Sequence, residues 1–148
     1  MPAVIESAKC QGERMAIKSF DHVAIPIQNT EAMLSFYKAL GFGIQDRGQA
    51  YSVFFGDNKI NFHSPDKWHS PQFTLRGPTA VPGCGDFCFV WEGSIDSLKA
   101  TLDQSGAKII AGPVERQGGR SNGRANGTSF YFRDPDSNLL EFMIYPER

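Results

Sequence analysis

The chain has 148 residues, of which 41% are apolar and 21% charged, with a formal net charge of −1. That length suits one ordinary domain with its own apolar core, and the near-neutral charge offers no basic field for nucleic acid or anionic membrane. No apolar run approaches the roughly 20 residues of a membrane-spanning helix, and no secretion signal is read at the N-terminus. The three cysteines, Cys10, Cys84 and Cys88, form no disulfide framework and no zinc-ribbon pattern. An odd count without spacing points to a reducing, cytoplasmic setting.

Residues 1–16 read as a flexible polar tail, with Met15 as an alternative start. The stretch from Phe20 to Ile27 alternates: Val23, Ile25 and Ile27 on one side, His22 and Ala24 on the other. Period-two alternation is the mark of a strand with two unlike faces. Asn29 or Thr30 then caps a predicted helix over 30–40 whose Met33, Leu34, Phe36, Tyr37 and Leu40 form one stripe, and Gly41 ends it. Strands are predicted from Gly43 to Arg47, Tyr51 to Phe55 and Lys59 to His63, the last two joined by the Gly56-Asp57-Asn58 turn.

Residues 64–83 hold four prolines and little periodicity, and read as a linker with an edge segment. His69 falls in it and is expected to face solvent. The order then recurs. Asp86 to Trp91 alternates as a strand, Ser94 caps a helix over 94–105 ended by Gly106, and Lys108 to Ala111 starts another strand. Gly118 to Gly127 reads as a mobile glycine-rich loop, able to act as a lid. Strands Ser129 to Phe132 and Asn138 to Tyr145 close the chain around Asp134-Pro135-Asp136.

The two halves overlay. His22 falls opposite Asp86, Gly41 opposite Gly106, and the hairpin at 54–62 opposite that at 131–142. The expected fold is therefore α+β: two βαβββ units forming a cupped mixed sheet with helices on the outer face. Unit one covers about 17–63 and unit two about 84–148 of a single domain. One such unit cannot cover its own sheet, so units must pair. The long linker would permit exchange between two chains, and a homodimer is expected.

Alternation also sorts the polar residues. Ile60 and Phe62, like Leu140, Phe142 and Ile144, belong to the helix side. Lys59, Asn61 and His63 share the other face, as do Leu139, Glu141, Met143 and Tyr145. Four strands at repeat-related places thus offer His22, His63 or Asn61, Asp86 and Glu141. Carboxylates buried beside imidazoles are most readily reconciled by a divalent cation. Two His and one carboxylate with open positions suit iron(II), while zinc, manganese, nickel or cobalt would also accept such donors.

Three blocks carry a family resemblance: Asp21-His22-Val23-Ala24-Ile25, Phe36-Tyr37-Lys38-Ala39-Leu40-Gly41-Phe42, and the closing run from Phe130 to Glu141. With Lys59-Ile60-Asn61-Phe62-His63 and Gly112-Pro113-Val114-Glu115-Arg116, the chain from about 18 to 146 resembles the vicinal oxygen chelate superfamily. This is the glyoxalase, bleomycin-resistance and extradiol-dioxygenase group. The resemblance implies a metal in the cup that binds two adjacent oxygens of a small organic substrate. It places the first-strand ligand at His22 and the last-strand ligand at Glu141. Better-known members carry Glu or Gln where this chain has Asn61, and His where it has Asp86. The expected metal set is His22, His63 and Glu141, with Asp86 as the alternative third ligand or a proton carrier. Asp86, Glu141 and Tyr131 are the catalytic candidates. Asn61, Tyr145 and Arg124 are the substrate-binding candidates, with Arg116 and Arg120 in the same loop region. Dioxygenase-like cleavage of a catechol or enediol is the leading activity. A glyoxalase-type lyase or isomerase and a metal-free sequestering module are the alternatives.

Overall fold

A computed structural model describes residues 16–147, so the expectations for the N-terminal tail, Met15 and Cys10 lie outside the described residues. The first unit runs β1 (His22–Pro26), α1 (Thr30–Ala39), β2 (Gly43–Asp46), β3 (Ala50–Phe55) and β4 (Asn58–His63). A short helix α2 (Pro65–His69) follows, then β5 (Asp86–Val90), α3 (Ile95–Ser105), β6 (Ala111–Gln117), β7 (Asn126–Arg133) and β8 (Leu139–Ile144). Among the described residues, no helix is long and apolar enough to cross a membrane.

The strands form two four-stranded sheets ordered β1-β4-β3-β2 and β5-β8-β7-β6. In each, the first strand pairs in parallel with the fourth, and the other pairs are antiparallel. The registers repeat as the halves do: His22 faces Lys59 and Ala24 faces Asn61, while Asp86 faces Leu139 and Cys88 faces Glu141. Asn61 and Glu141 therefore occupy equivalent positions, and His63 stands one pleat further on, opposite Pro26.

Helix α1 buries Met33 and Tyr37 completely, one turn apart, and α3 does the same with Leu98 and Leu102. Both helices lie on the apolar side of the sheets, where Ile25, Val53, Ile60 and Phe62 of the first unit join Phe130, Phe132, Leu140 and Phe142 of the second in one core. Edge-on aromatic contacts cross between units: Phe55 to Phe89 at 4.9 Å and Phe42 to Phe89 at 5.2 Å between ring centres. The polar sheet faces are thus the sides turned away from this shared core.

Two polar clamps join the units. The buried Tyr37 hydroxyl donates to Asp134 Oδ2 at 2.7 Å, and Asn138 Nδ2 donates to the same oxygen at 2.8 Å. Asp134 Oδ1 accepts from the backbone N–H of Asp136 and of Asn138, each at 3.0 Å. Burial raises the Asp134 carboxyl above its ordinary range against these hydrogen bonds, and raises the Tyr37 phenol well above its own. Asp136 accepts from Gln28 N, Asn29 N and Asn29 Nδ2 at 2.7, 2.9 and 2.8 Å.

Four expectations need correction. Asn29 sits at the N-cap of α1 but makes no side-chain cap bond; the start of the helix is tied instead to Asp136 of the other unit. The 64–83 segment contains a helix and no strand among the described residues, because the Ser64 side chain accepts from Lys67 N at 3.3 Å and Pro65 is favoured in a first turn. The sixth strand covers 111–117 rather than starting at Lys108. The glycine-rich stretch is shorter than expected: a 3-10 turn spans Arg120–Gly123 and β7 already begins at Asn126, its pairing to β6 extending the hairpin.

Candidate functional site

His22 opens β1, about half exposed, and its Nδ1 lies 2.6 Å from Asp21 Oδ1. A carboxylate on one ring nitrogen fixes the imidazole and leaves Nε2 free, the arrangement common around metal-bound histidines. His63 ends β4 half-buried, with the Phe73 ring edge-on at 4.9 Å. Its pKa is lowered, first by burial and then by the charges of Lys67 and Arg76, so the neutral, ligand-competent ring is favoured. Asn61 lies between, its Oδ1 accepting from Ser52 Oγ at 3.3 Å.

On the second sheet Glu141 is half-buried in β8, and Ser129 Oγ donates to its Oε2 at 2.5 Å. Cys88, its cross-strand partner, keeps its sulfur close to that carboxylate. Burial first, then the charge of Glu141 and a hydrogen bond to it, then Asp86, push the Cys88 thiol up to about 12. Asp86 opens β5 and is exposed. Tyr131 takes a hydrogen bond from Arg116 Nε at 3.1 Å, and the Arg120 guanidinium lies 4.2 Å above the Tyr145 ring. Arg124 is exposed in the turn between. The arginines seated on the two tyrosines are thus Arg116 and Arg120, one on each.

The candidates fall into two sets. His22, Asn61 and His63 lie on the polar face of the first sheet; Asp86, Tyr131, Glu141 and Tyr145 lie on that of the second. Among the described residues, no three His, Cys, Asp or Glu side chains come close enough to hold a metal ion. The sequence pattern gave no role to Ser129 and Asp21, which hydrogen-bond to Glu141 and His22. The signal for Ser129 was a small hydroxyl two residues before Tyr131, on the same face of β7. His69 stacks on Trp68 at 3.6 Å between rings and stays exposed, as expected of the linker.

The family profile described as glyoxalase/bleomycin resistance protein/dioxygenase superfamily matches residues 19–142. The glyoxalase domain-containing protein RDO1 of Mycosarcoma maydis is 33% identical over 140 residues, covering 93% of this chain and 74% of that one. The crystal structure of the virulence protein STM3117 of Salmonella typhimurium superposes with a TM-score of 0.76 at 31% identity, covering 89% of this chain and all of that one (100%). A lactoylglutathione lyase of Agrobacterium tumefaciens shares the fold at a TM-score of 0.64 and 17% identity, over 86% of this chain and 94% of that one. With two repeated βαβββ units and a profile match across nearly all the described residues, the chain belongs to the glyoxalase/bleomycin resistance protein/dioxygenase superfamily.

Proposed function

We propose that the protein is a divalent-metal-dependent enzyme acting on a small organic substrate with two adjacent oxygens, in a dioxygenase-like reaction. The observation that carries this reading is the preparation of the donors. His22 is oriented by Asp21, His63 is held toward its neutral form, and Glu141 has one carboxylate oxygen engaged by Ser129. Two imidazoles and one carboxylate fit iron(II), and fit zinc, manganese, nickel or cobalt less selectively. Such a metal, when bound, would act as a Lewis acid toward the substrate's oxygens.

The chain's own residues supply the rest. Ser129 keeps Glu141 Oε2 occupied, so Oε1 is the oxygen offered. Tyr131 and Tyr145, steadied by Arg116 and Arg120, orient the substrate's ring or chain, and Asn61 contributes an amide. Asp86, exposed at the head of β5, carries a proton to or from the substrate. Because the donors are divided between two sheet faces, a second copy is needed: the first-unit face of one chain would meet the second-unit face of its partner.

Metal content of two purified variants, measured side by side, tests the ligand set. His63→Ala should lose the metal, whereas Asp86→Asn should keep it and lose rate. The reverse pattern would make Asp86 the third ligand, and full metal in both would overturn the set. Oxygen uptake with catechol-like substrates supports the dioxygenase reading; turnover of a thiol hemiacetal without oxygen uptake would replace it by a glyoxalase-type isomerisation.

A further inference from the structure

The polar face of the first sheet carries a second feature that the metal reading does not use. A cavity of about 540 Å³ opens there, bordered by Arg47, Lys59, Lys67, His63, Asn61 and the turn at Gly48. Among the described residues, three cations line it and no carboxylate does. The whole chain is nearly neutral, so a basic composition does not explain the cluster.

Among the described residues, the partners of these cations are neutral. Arg47 Nε donates to Ser52 Oγ at 2.8 Å, and its Nη2 donates to Gln45 Oε1 at 3.0 Å. Lys59 Nζ stands 3.5 Å from the same serine oxygen, and Lys67 Nζ lies 4.7 Å from the centre of the Phe73 ring. The acid nearest in sequence, Asp46, accepts from Gly48 N at 2.8 Å, and Asp66 is exposed on α2. Lys59 and Lys67 are both half-buried, where a charge without a counter-ion is costly. A planar guanidinium fork beside two ammonium groups is the donor set that recognises oxyanions.

We infer that this cavity binds the anionic group of the substrate, a carboxylate, phosphonate or phosphate on the same small molecule whose adjacent oxygens would meet the metal. The inference rests on the functional reading above and deepens it by assigning the substrate a charge. Arg47 grips the anion's oxygens, Lys59 and Lys67 supply the balancing charge, and Asn61 and His63 border the same cavity, joining it to the proposed metal donors.

The test is a titration of the full-length protein with inorganic phosphate, followed by backbone and imidazole NMR shifts. It is run on protein as purified, with its metal content measured, and again after chelation. Saturable shifts at Gly48, Asn61 and His63 are expected in both samples. Arg47→Gln and Lys59→Gln should each weaken binding by about tenfold, the scale of one charge-assisted hydrogen bond. Lys59→Arg should keep most of the affinity. Lys99→Gln, altering a cation that sits over Phe130, should change nothing. Equal loss in Lys99→Gln, or no loss in the pocket variants, overturns the site. Binding that disappears on chelation assigns the phosphate to the metal and overturns the pocket while sparing the metal. Normal metal content in Arg47→Gln and Lys59→Gln beside lost metal in His63→Ala separates the two readings further.

Discussion

Glu141 illustrates how a single side chain is prepared by its neighbours. A glutamate side chain has three rotatable bonds to lose, and Ser129 Oγ at 2.5 Å restricts that freedom before any ligand arrives. Ser129→Ala should leave the fold intact and lower metal affinity by 10-fold or more, on the scale of losing an outer-shell partner; metal retention during dialysis against a weak chelator reads this out, and unchanged retention would remove Ser129 from the site. Cys88 gives a second check. With its thiol pushed up to about 12, it has almost no thiolate near neutral pH, although the residue is exposed overall. Peptide mapping after iodoacetamide at pH 8 should show Cys84 modified well before Cys88, and comparable rates would contradict the contact with Glu141. The sequence places Glu141 on the polar face of its sheet by alternation alone. The same alternation puts Ser129 on the face of Tyr131, but a serine in a strand has no periodic signature of a partner diagonal to it.

The β7–β8 turn is the element that most repays its sequence. Asp134-Pro135-Asp136-Ser137-Asn138 appears in the sequence as a turn and a family block, yet its side chains do more than turn the chain. Asp134 gathers Tyr37, Asn138 and two backbone N–H groups, while Asn138 Oδ1 accepts from Gly85 N at 2.8 Å and so sets the start of β5. Asp134→Asn would present an amide N–H₂ toward the Tyr37 hydroxyl and the Asn138 amide, leaving buried donors unmatched. The expected cost is about 3 kcal/mol, or roughly 10 °C in the unfolding midpoint of a domain this size. The pH dependence has a definite sign. A carboxyl raised in the folded state keeps a proton that the unfolded chain has released, so stability falls as pH rises from the ordinary carboxyl value through the raised one. Thermal scans across that window should lose this slope in Asp134→Asn, and an unchanged slope would place it elsewhere. Caps and clamps between distant segments are invisible to local pattern reading. That is why Asn29 looked like a side-chain cap when its partner lay 107 residues away. By contrast, the Ser94 cap and the Gly106 terminus were legible because both act within one turn of their own helix.

For the whole molecule, the repeat made the architecture legible: matching strand, helix and glycine positions in two halves imply two alike sheets, and the registers agree. Which copy of which sheet faces which is decided by surfaces without such periodicity. Among the described residues, β1 and β5 each have one neighbour in their sheet, leaving the other edge free to pair. Light scattering at micromolar concentration should report a homodimer. Mixing equal amounts of metal-free His22→Ala and metal-free Glu141→Ala should restore metal binding at about a quarter of all sites, since only half of the randomly formed pairs are mixed and each keeps one intact set of two. A monodisperse monomer, or no restoration on mixing, would sink the shared site.

The tie between Asp136 and the start of α1 also bears on how the chain is made. Synthesis delivers the start of the first helix more than a hundred residues before the carboxylate that completes its N-terminus, and the Tyr37 hydroxyl waits 97 residues for Asp134. A nascent chain halted in the linker would expose an aromatic helix with its polar tether missing. Such a chain should be a good client for chaperones that recognise apolar segments, and should release from them once the final hairpin has left the ribosome.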